Sequence, residues 1–437
     1  MSREEVSGEA ASGEGLAAQY PAEARQFGVH APGGRVRLLA PVALMLAALN
    51  LRPAVTSVGP VLEEARADLG MSATTAGLLT SLPAVCFALV GFSASRLAHR
   101  FGPDAVLTAA MVTLAAGLAL RPLPGSGALF LALSAVALAG VALANVLLPA
   151  VVKRRFPDRV GAMTGFYSMA LNAGASTAAA VTVPLSGALG GALGGDWRGG
   201  LGIWSLLALV AVPPWLALAR DRTGGVGEAP PTAASAPTTS ATATATARTR
   251  LSRSPTAWAL AVYFGLQATA AYVVIGWLPQ IFRDAGLSAG TAGLLFAVTS
   301  VLGIPLSFAL AAVAGRLRDQ GGIAVTIGLF GLAGYAGLWA APASAPWLWA
   351  CLLGVANCSF PLALTMIGMR GRDSATVVRL SAFAQSTGYL LSIPGPVLVG
   401  ALYEHSGGWR APLVLMALLM LAQLAAGLLA GRDRRIG

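Results

Sequence analysis

Charge is scarce in this sequence. Of 437 residues, 11% are charged, where soluble domains carry about 25%. That argues against a soluble globular protein and against a disordered one. Lys153 is the only lysine. A Walker A loop needs G-x-x-x-x-G-K-[ST], and Lys153 is followed by Arg154, so there is no such phosphate loop and no sign of ATP-driven pumping by this chain alone. The three cysteines, Cys86, Cys351 and Cys358, all lie in apolar runs. They lack zinc spacing, and an odd number of them makes no disulfide framework. The three histidines, His30, His99 and His405, fall in tails or loops, and no Asp or Glu falls in the middle of an apolar run. No cofactor or metal is implied. The early acids Glu4, Glu5, Glu9 and Glu14 are the wrong start for a cleaved signal peptide.

What the chain has in abundance is apolar length. By the broad count 56% of residues are apolar, and a membrane-spanning helix needs about 20 of them in a row. Twelve candidate spans follow, over 38–62, 73–95, 104–122, 127–150, 161–186, 201–219, 256–279, 288–314, 322–341, 347–369, 378–401 and 411–430. They are spans 1 to 12 in chain order. The reading is an all-α polytopic membrane protein of twelve transmembrane helices. Residues 229–247 contain only Ala, Pro, Thr and Ser, a composition that cannot bury a core. The expected organisation is a disordered cytoplasmic tail (1–37), a six-helix bundle (38–219), a flexible cytoplasmic linker (220–254), a second six-helix bundle (255–430) and a short cytoplasmic tail (431–437).

The formal net charge of +11 would suit a nucleic-acid binder if it clustered on polar surface. It does not. With the N-terminus inside, 23 of the 29 basic residues fall in cytoplasmic segments and five in outer loops. This is the positive-inside pattern of the cytoplasmic membrane. It leaves lipid, not nucleic acid, as the partner, and both termini inside. Only Arg52 belongs to neither face.

The two halves repeat each other in parallel. Gly70-Met71-Ser72-Ala73-Thr74-Thr75-Ala76-Gly77-Leu78-Leu79 matches Gly286-Leu287-Ser288-Ala289-Gly290-Thr291-Ala292-Gly293-Leu294-Leu295 at eight of ten positions, with an offset of 216. Asn145 and Pro149 recur as Asn357 and Pro361, and Asp196-Trp197-Arg198 has a counterpart in Trp409-Arg410. Parallel halves place a pseudo-two-fold axis along the membrane normal and a solute site near the midplane between them.

This arrangement resembles the major facilitator superfamily. That family carries a loop after span 2 of the form G-x-L-A-D-R-x-G-R-[RK]. Here the loop reads Ser95-Arg96-Leu97-Ala98-His99-Arg100-Phe101-Gly102-Pro103-Asp104, with His99 in place of the Asp. The loop after span 8, Gly315-Arg316-Leu317-Arg318-Asp319, is closer. The resemblance implies alternating access, with His99, Arg100, Arg316 and Asp319 at gating positions. Within the superfamily, Asn50-Leu51-Arg52-Pro53, Asn145-Val146-Leu147-Leu148-Pro149 with Lys153-Arg154-Arg155-Phe156-Pro157, Tyr167-Ser168, Trp277-Leu278-Pro279 and Gln385-Ser386 resemble the cyanate permease and 2-nitroimidazole transporter family. That implies small anions or small polar nitrogen compounds as cargo.

Arg52 is the sharpest single feature. It lies about 15 Å from the outer end of span 1 at 1.5 Å per residue, too deep to snorkel easily. A central Arg costs roughly 2.5–3.5 kcal/mol on insertion scales. Either a bound anion completes its charge, for which the guanidinium fork is well shaped, or helix-end carbonyls and water satisfy it near the break expected at Pro53. Asn50, Asn145, Tyr167, Asn172, Gln267, Tyr272, Asn357, Gln385 and Tyr389 are further candidate solute contacts, each with interhelical bonding or packing as the alternative. Pro53 is a hinge or a packing kink. The expected protein is a secondary or facilitative carrier of a small polar solute, functional as a monomer and not an enzyme. A drug or metabolite exporter and a non-transporting nutrient sensor remain the other readings.

Overall fold

A computed structural model describes residues 34–220 and 251–436, apart from 124, 157–158, 194–195, 315 and 373. The expected tail and linker therefore lie largely outside the described residues. The tail's last residues do not: the first helix starts at Gly34, four residues before the expected span.

Each of the twelve apolar segments is helical, and several are broken where the sequence dictates. Span 1 runs as Gly34–Leu51, Pro53–Thr56, the 3₁₀ turn Gly59–Val61, and Leu62–Leu69. Pro53 has no N–H, so the ladder stops at Arg52. Span 10 breaks between Pro346–Ala356 and Ser359–Arg370. Span 11 breaks at Ile393, between Ser374–Ser392 and Pro394–Ser406. Among the described residues, nine helices are long and apolar enough to cross a membrane. Their outer faces carry residues such as Leu206, Leu209, Val210, Leu418 and Leu421, all half or more exposed, as lipid contact requires.

The repeat is physical. Ser72 accepts the Thr75 N–H at 3.1 Å and Ser288 accepts the Thr291 N–H at 3.2 Å, so both second helices of the halves start from the same cap. Gly70 and Gly286 precede them at φ 60° and 93°, a conformation that glycine adopts without strain. Asp68 accepts from Trp197 Nε1 at 3.1 Å, and Asp284 accepts from Trp409 Nε1 at 2.7 Å. Asp68 and Asp284 are again 216 residues apart.

Helices before residue 220 pack around Leu44, Leu107, Leu114, Leu147 and Trp215. Those after 254 pack around Tyr263, Phe264, Leu362 and Met366. A third cluster joins the two sets. It runs from Leu62, Leu79 and Trp197 to Trp277, Phe282, Leu295 and Leu413, at the end that carries the turns at Gly70, Gly286 and Gly407. That end is the distal end, and the opposite one the linker end. Span 2 lies on span 11 and span 5 on span 8. A Cβ on Gly77 would stand 2.5 Å from the Pro396 carbonyl oxygen, and one on Gly293 would stand 2.6 Å from that of Ala179. Only glycine allows backbones this close, and the two contacts are repeat-related.

The linker end is braced within each set rather than between them. Asp104 pairs with Arg154 at 2.5 Å and Arg155 at 2.8 Å. At the equivalent place in the second set, Arg370 donates to the Gln320 carboxamide and, at 2.5 Å, to the Gly431 carbonyl. The last described residues are held there too, because the Ile436 N–H donates to the Arg370 carbonyl at 2.7 Å.

A candidate solute site at the junction of the two helix sets

Arg52 sits in the break of span 1. Leu51 and Pro53 on either side are buried, yet Arg52 itself is exposed. It lies within electrostatic reach of the hydroxyls of Tyr272 in span 7 and Tyr389 in span 11, both in the opposite helix set. Among the described residues, no acceptor and no carboxylate engages its side chain.

The two tyrosines come from the second set and are fixed by packing. Tyr272 is 8% exposed and clusters with Ala84 of span 2 and Ala268 of its own helix. The Tyr389 ring lies 5.3 Å from Phe87 of span 2 and 5.1 Å, edge-on, from Phe264. Among the described residues neither hydroxyl has a hydrogen-bond partner. One unpaired cation and two unpartnered hydroxyls thus converge from both sets. Together they offer a positive charge and two donors to an anion, with aromatic walls.

A second group lines a small cleft between spans 7, 9, 10 and 12. Its polar members are Gln267, Asn357, Ser359 and Gln423. Gln423 donates to Ser359 Oγ at 3.0 Å, and Ser359 donates to the Ala356 carbonyl at 2.8 Å. The break of span 10 supplies that carbonyl and puts Asn357 at the cleft.

Other candidates are placed elsewhere. Asn50 is buried and donates to the carbonyls of Leu46, at 2.7 Å, and of Leu207 in span 6, at 3.1 Å. Two residues from Arg52 on a helix, it points into its own bundle. Asn172 donates to the Ser168 carbonyl at 2.9 Å and Gln385 to Ser381 Oγ at 2.7 Å, each one turn back on its own helix. Tyr167 packs partly buried against the first core. Asn145 is half-buried, and no hydrogen bond engages its amide among the described residues.

The expected gating residues do not join the two sets. Arg100 is exposed and lies over the Phe101 ring at 5.1 Å. Arg316 and Asp319 are exposed, and Asp319 accepts the Gly321 N–H at 2.6 Å. The side chain of His99 lies outside the described residues. Pro53 is buried at the break, against span 5.

The polar contacts between the sets lie instead toward the distal end, among the described residues. Arg283 pairs with Glu64 at 2.7 Å. Glu404 accepts from the Thr74 N–H at 3.1 Å and its hydroxyl at 2.9 Å. Those two bonds hold the exposed Glu404 carboxyl below its ordinary value. Ser81 donates to the Ile393 carbonyl at 2.8 Å. Glu64, Glu404 and Arg283 are not singled out by the sequence. The signal available for Glu64 and Arg283 is repeat register, which aligns the ends of spans 1 and 7.

Residues 44–392 match the Major Facilitator Superfamily profile. The chain is 34% identical over 405 residues to the 2-nitroimidazole transporter of Escherichia coli (strain K12), covering 92% of this chain and 98% of that one. It is 31% identical over 369 residues to the cyanate transport protein CynX of the same organism, covering 84% and 90%. Among solved structures, it superposes on an inward-facing, occupied bacterial homologue of the human lysosomal transporter Spinster with a TM-score of 0.74 at 16% identity, over 92% of this chain and 98% of that one. The family, the helical fold and the repeat agree: the chain belongs to the Major Facilitator Superfamily and is a multi-pass membrane transporter, not an enzyme.

Proposed function

We propose that this protein carries small anions across the cytoplasmic membrane by alternating access, with Arg52 as the counter-charge of the bound solute. The observation that carries the reading is the guanidinium of Arg52 at the break of span 1, without an ion-pair partner among the described residues and within electrostatic reach of Tyr272 and Tyr389 of the other helix set. An anion held there bridges the sets. Its binding energy therefore differs between arrangements of the two sets, which is what a carrier needs in order to couple occupancy to access.

The distal contacts and the absence of polar cross-links at the linker end, among the described residues, fit a state open on the linker side. The basic loops favour placing that side, and both termini, in the cytoplasm. The names of the two relatives, for 2-nitroimidazole and cyanate, support a small planar or linear nitrogen compound as cargo. The protein acts as a monomer on this reading, since the site is complete within one chain.

The test is uptake of cyanate and of 2-nitroimidazole by proteoliposomes containing the full chain. Arg52→Ala is expected to lose at least about 100-fold of the rate while melting like the parent. Arg52→Lys keeps the charge but not the fork, and is expected to lose about tenfold. Normal uptake by Arg52→Ala sinks the proposal.

A further inference from the structure

The repeat breaks its own symmetry at the linker end. At the offset of 216, Asp104 and Arg154 of the first set correspond to Gln320 and Arg370 of the second. In the first set a carboxylate meets the arginine, at 2.5 Å. In the second an uncharged carboxamide stands in its place. Arg370 is 1% exposed and donates to Gln320, to the Ala430 carbonyl at 3.2 Å and to the Gly431 carbonyl. Its charge is hydrogen-bonded but, among the described residues, paired with no carboxylate.

Three segments gather at Arg370. The Gln320 N–H donates to the Gly431 carbonyl at 3.0 Å, which ties the loop after span 8 to the end of span 12. Arg432 is extended, at φ −61° and ψ 142°, so the chain leaves the helix there. It then pairs with the loop after span 10: the Ile436 N–H donates to the Arg370 carbonyl at 2.7 Å, and the Arg372 N–H donates to the Ile436 carbonyl at 3.2 Å. This strap keeps Arg432, Arg434 and Arg435 close to Arg316, Arg318 and Arg372. All six are exposed, and no carboxylate pairs with any of them among the described residues. The same three segments carry only three acids, Asp319, Asp373 and Asp433, of which Asp373 lies outside the described residues. The surface is therefore net positive, and backbone bonds hold it in shape.

Apolar side chains at the same end say what meets this charge. Leu317, between Arg316 and Arg318, is 44% exposed, and so is Trp258 near the start of span 7. The Trp258 indole N–H donates to the Ser252 carbonyl at 2.8 Å, which leaves the ring apolar side outward. An exposed Trp at a span end marks the level where acyl chains give way to headgroups. Arginines at that level meet phosphates, which a guanidinium grips with two parallel bonds. A free anion has no use for the neighbouring leucine, whereas a lipid has chains to lay on it. We propose that the strap and the two loops form a docking surface for anionic phospholipid headgroups at the linker end of the second helix set. The surface makes no use of Arg52 and stands apart from the solute site.

The experiment titrates the full chain, in a neutral detergent, with dioleoylphosphatidylglycerol and with dioleoylphosphatidylcholine, and reads the retained lipid by native mass spectrometry. Each basic residue near an anionic surface strengthens association by about fivefold. The parent is therefore expected to hold phosphatidylglycerol at least about tenfold more tightly than phosphatidylcholine. The triple variant Arg432→Gln, Arg434→Gln, Arg435→Gln is expected to lose most of that ratio, and the matching triple lysine variant to keep most of it, since charge carries the attraction. Ile436→Pro removes the N–H that pins the strap but no charge, and is expected to weaken the ratio as well. Arg96→Gln with Arg100→Gln, at the linker end of the first set, is the control and should leave the ratio as it is. No preference in the parent overturns the proposal. So does a preference that survives the triple glutamine variant or Ile436→Pro, or one that the first-set control abolishes equally. Displacement of phosphatidylglycerol by inorganic phosphate as readily as by more phosphatidylglycerol also overturns it, because the surface then binds any small anion and not a lipid.

Discussion

Arg121, at the end of span 3, donates from Nη1 to the Ala54 carbonyl at 2.9 Å and from Nη2 to Ser57 Oγ at 3.0 Å. The carbonyl is available because span 1 is broken: the Val58 N–H turns to Val55 instead, at 3.4 Å. Arg121 is 1% exposed, and its Nε has no partner among the described residues. It pins the short segment that follows Arg52, and so sets where Arg52 stands.

Removing that pin should be costly. Arg121→Ala leaves the Ala54 carbonyl buried without a donor, a loss of about 1–3 kcal/mol. A lowered melting temperature of the purified protein is expected, with Arg121→Lys falling between the two. An Arg121→Ala variant that melts with the parent contradicts the pinning role.

The contact of Glu404 with Thr74 predicts a pH dependence. Its carboxyl is held below the ordinary 4.5 when the distal end is closed. The contact therefore favours closure fully above about pH 4.5 and loses that effect as pH falls through the depressed value. Because Glu404 is exposed, the effect is small. Spin labels placed across the distal end should report a modest shift toward opening below pH 4 that Glu404→Gln already shows at pH 7. An identical pH response in that variant would show that Glu404 is not the titrating group.

Gly77 tests the backbone seam. A side chain there collides with the Pro396 carbonyl, whose oxygen would be 2.5 Å from the new Cβ. Gly77→Val is expected to fold, since the helix itself tolerates valine, but to hold the distal end apart. Uptake should drop at least about tenfold, and a distal cysteine probe in a cysteine-free background should become more reactive. Unchanged reactivity counts against the seam as a closing surface.

Much of the fold and part of the site are legible in the residues. The repeat can be read because caps and turns are local: Ser72 and Ser288, Gly70 and Gly286 act within a few residues. Arg52 stands out because a charge inside an apolar run has few innocent explanations. The direction of an amide is not legible. Asn50 and Gln267 look alike in sequence, yet one bonds Leu207 and the other faces a cleft. Contacts such as Arg283–Glu64, 219 residues apart, depend on how two bundles meet. Arg121 resembles an interfacial anchor, because nothing local distinguishes a span end that dips inward from one that reaches water.

The lack of a partner for Arg52 has an electrical consequence. On the proposed reading, a monovalent anion cancels its charge, so the loaded carrier moves no net charge at this position. The empty carrier moves one. A unit charge crossing the whole membrane field is worth about 2.3 kcal/mol per 100 mV, and a charge displaced over part of it feels a share of that. Membrane voltage then acts on the return of the empty protein rather than on the passage of cargo. Transient currents on supported membranes should be largest without substrate and vanish in Arg52→Ala.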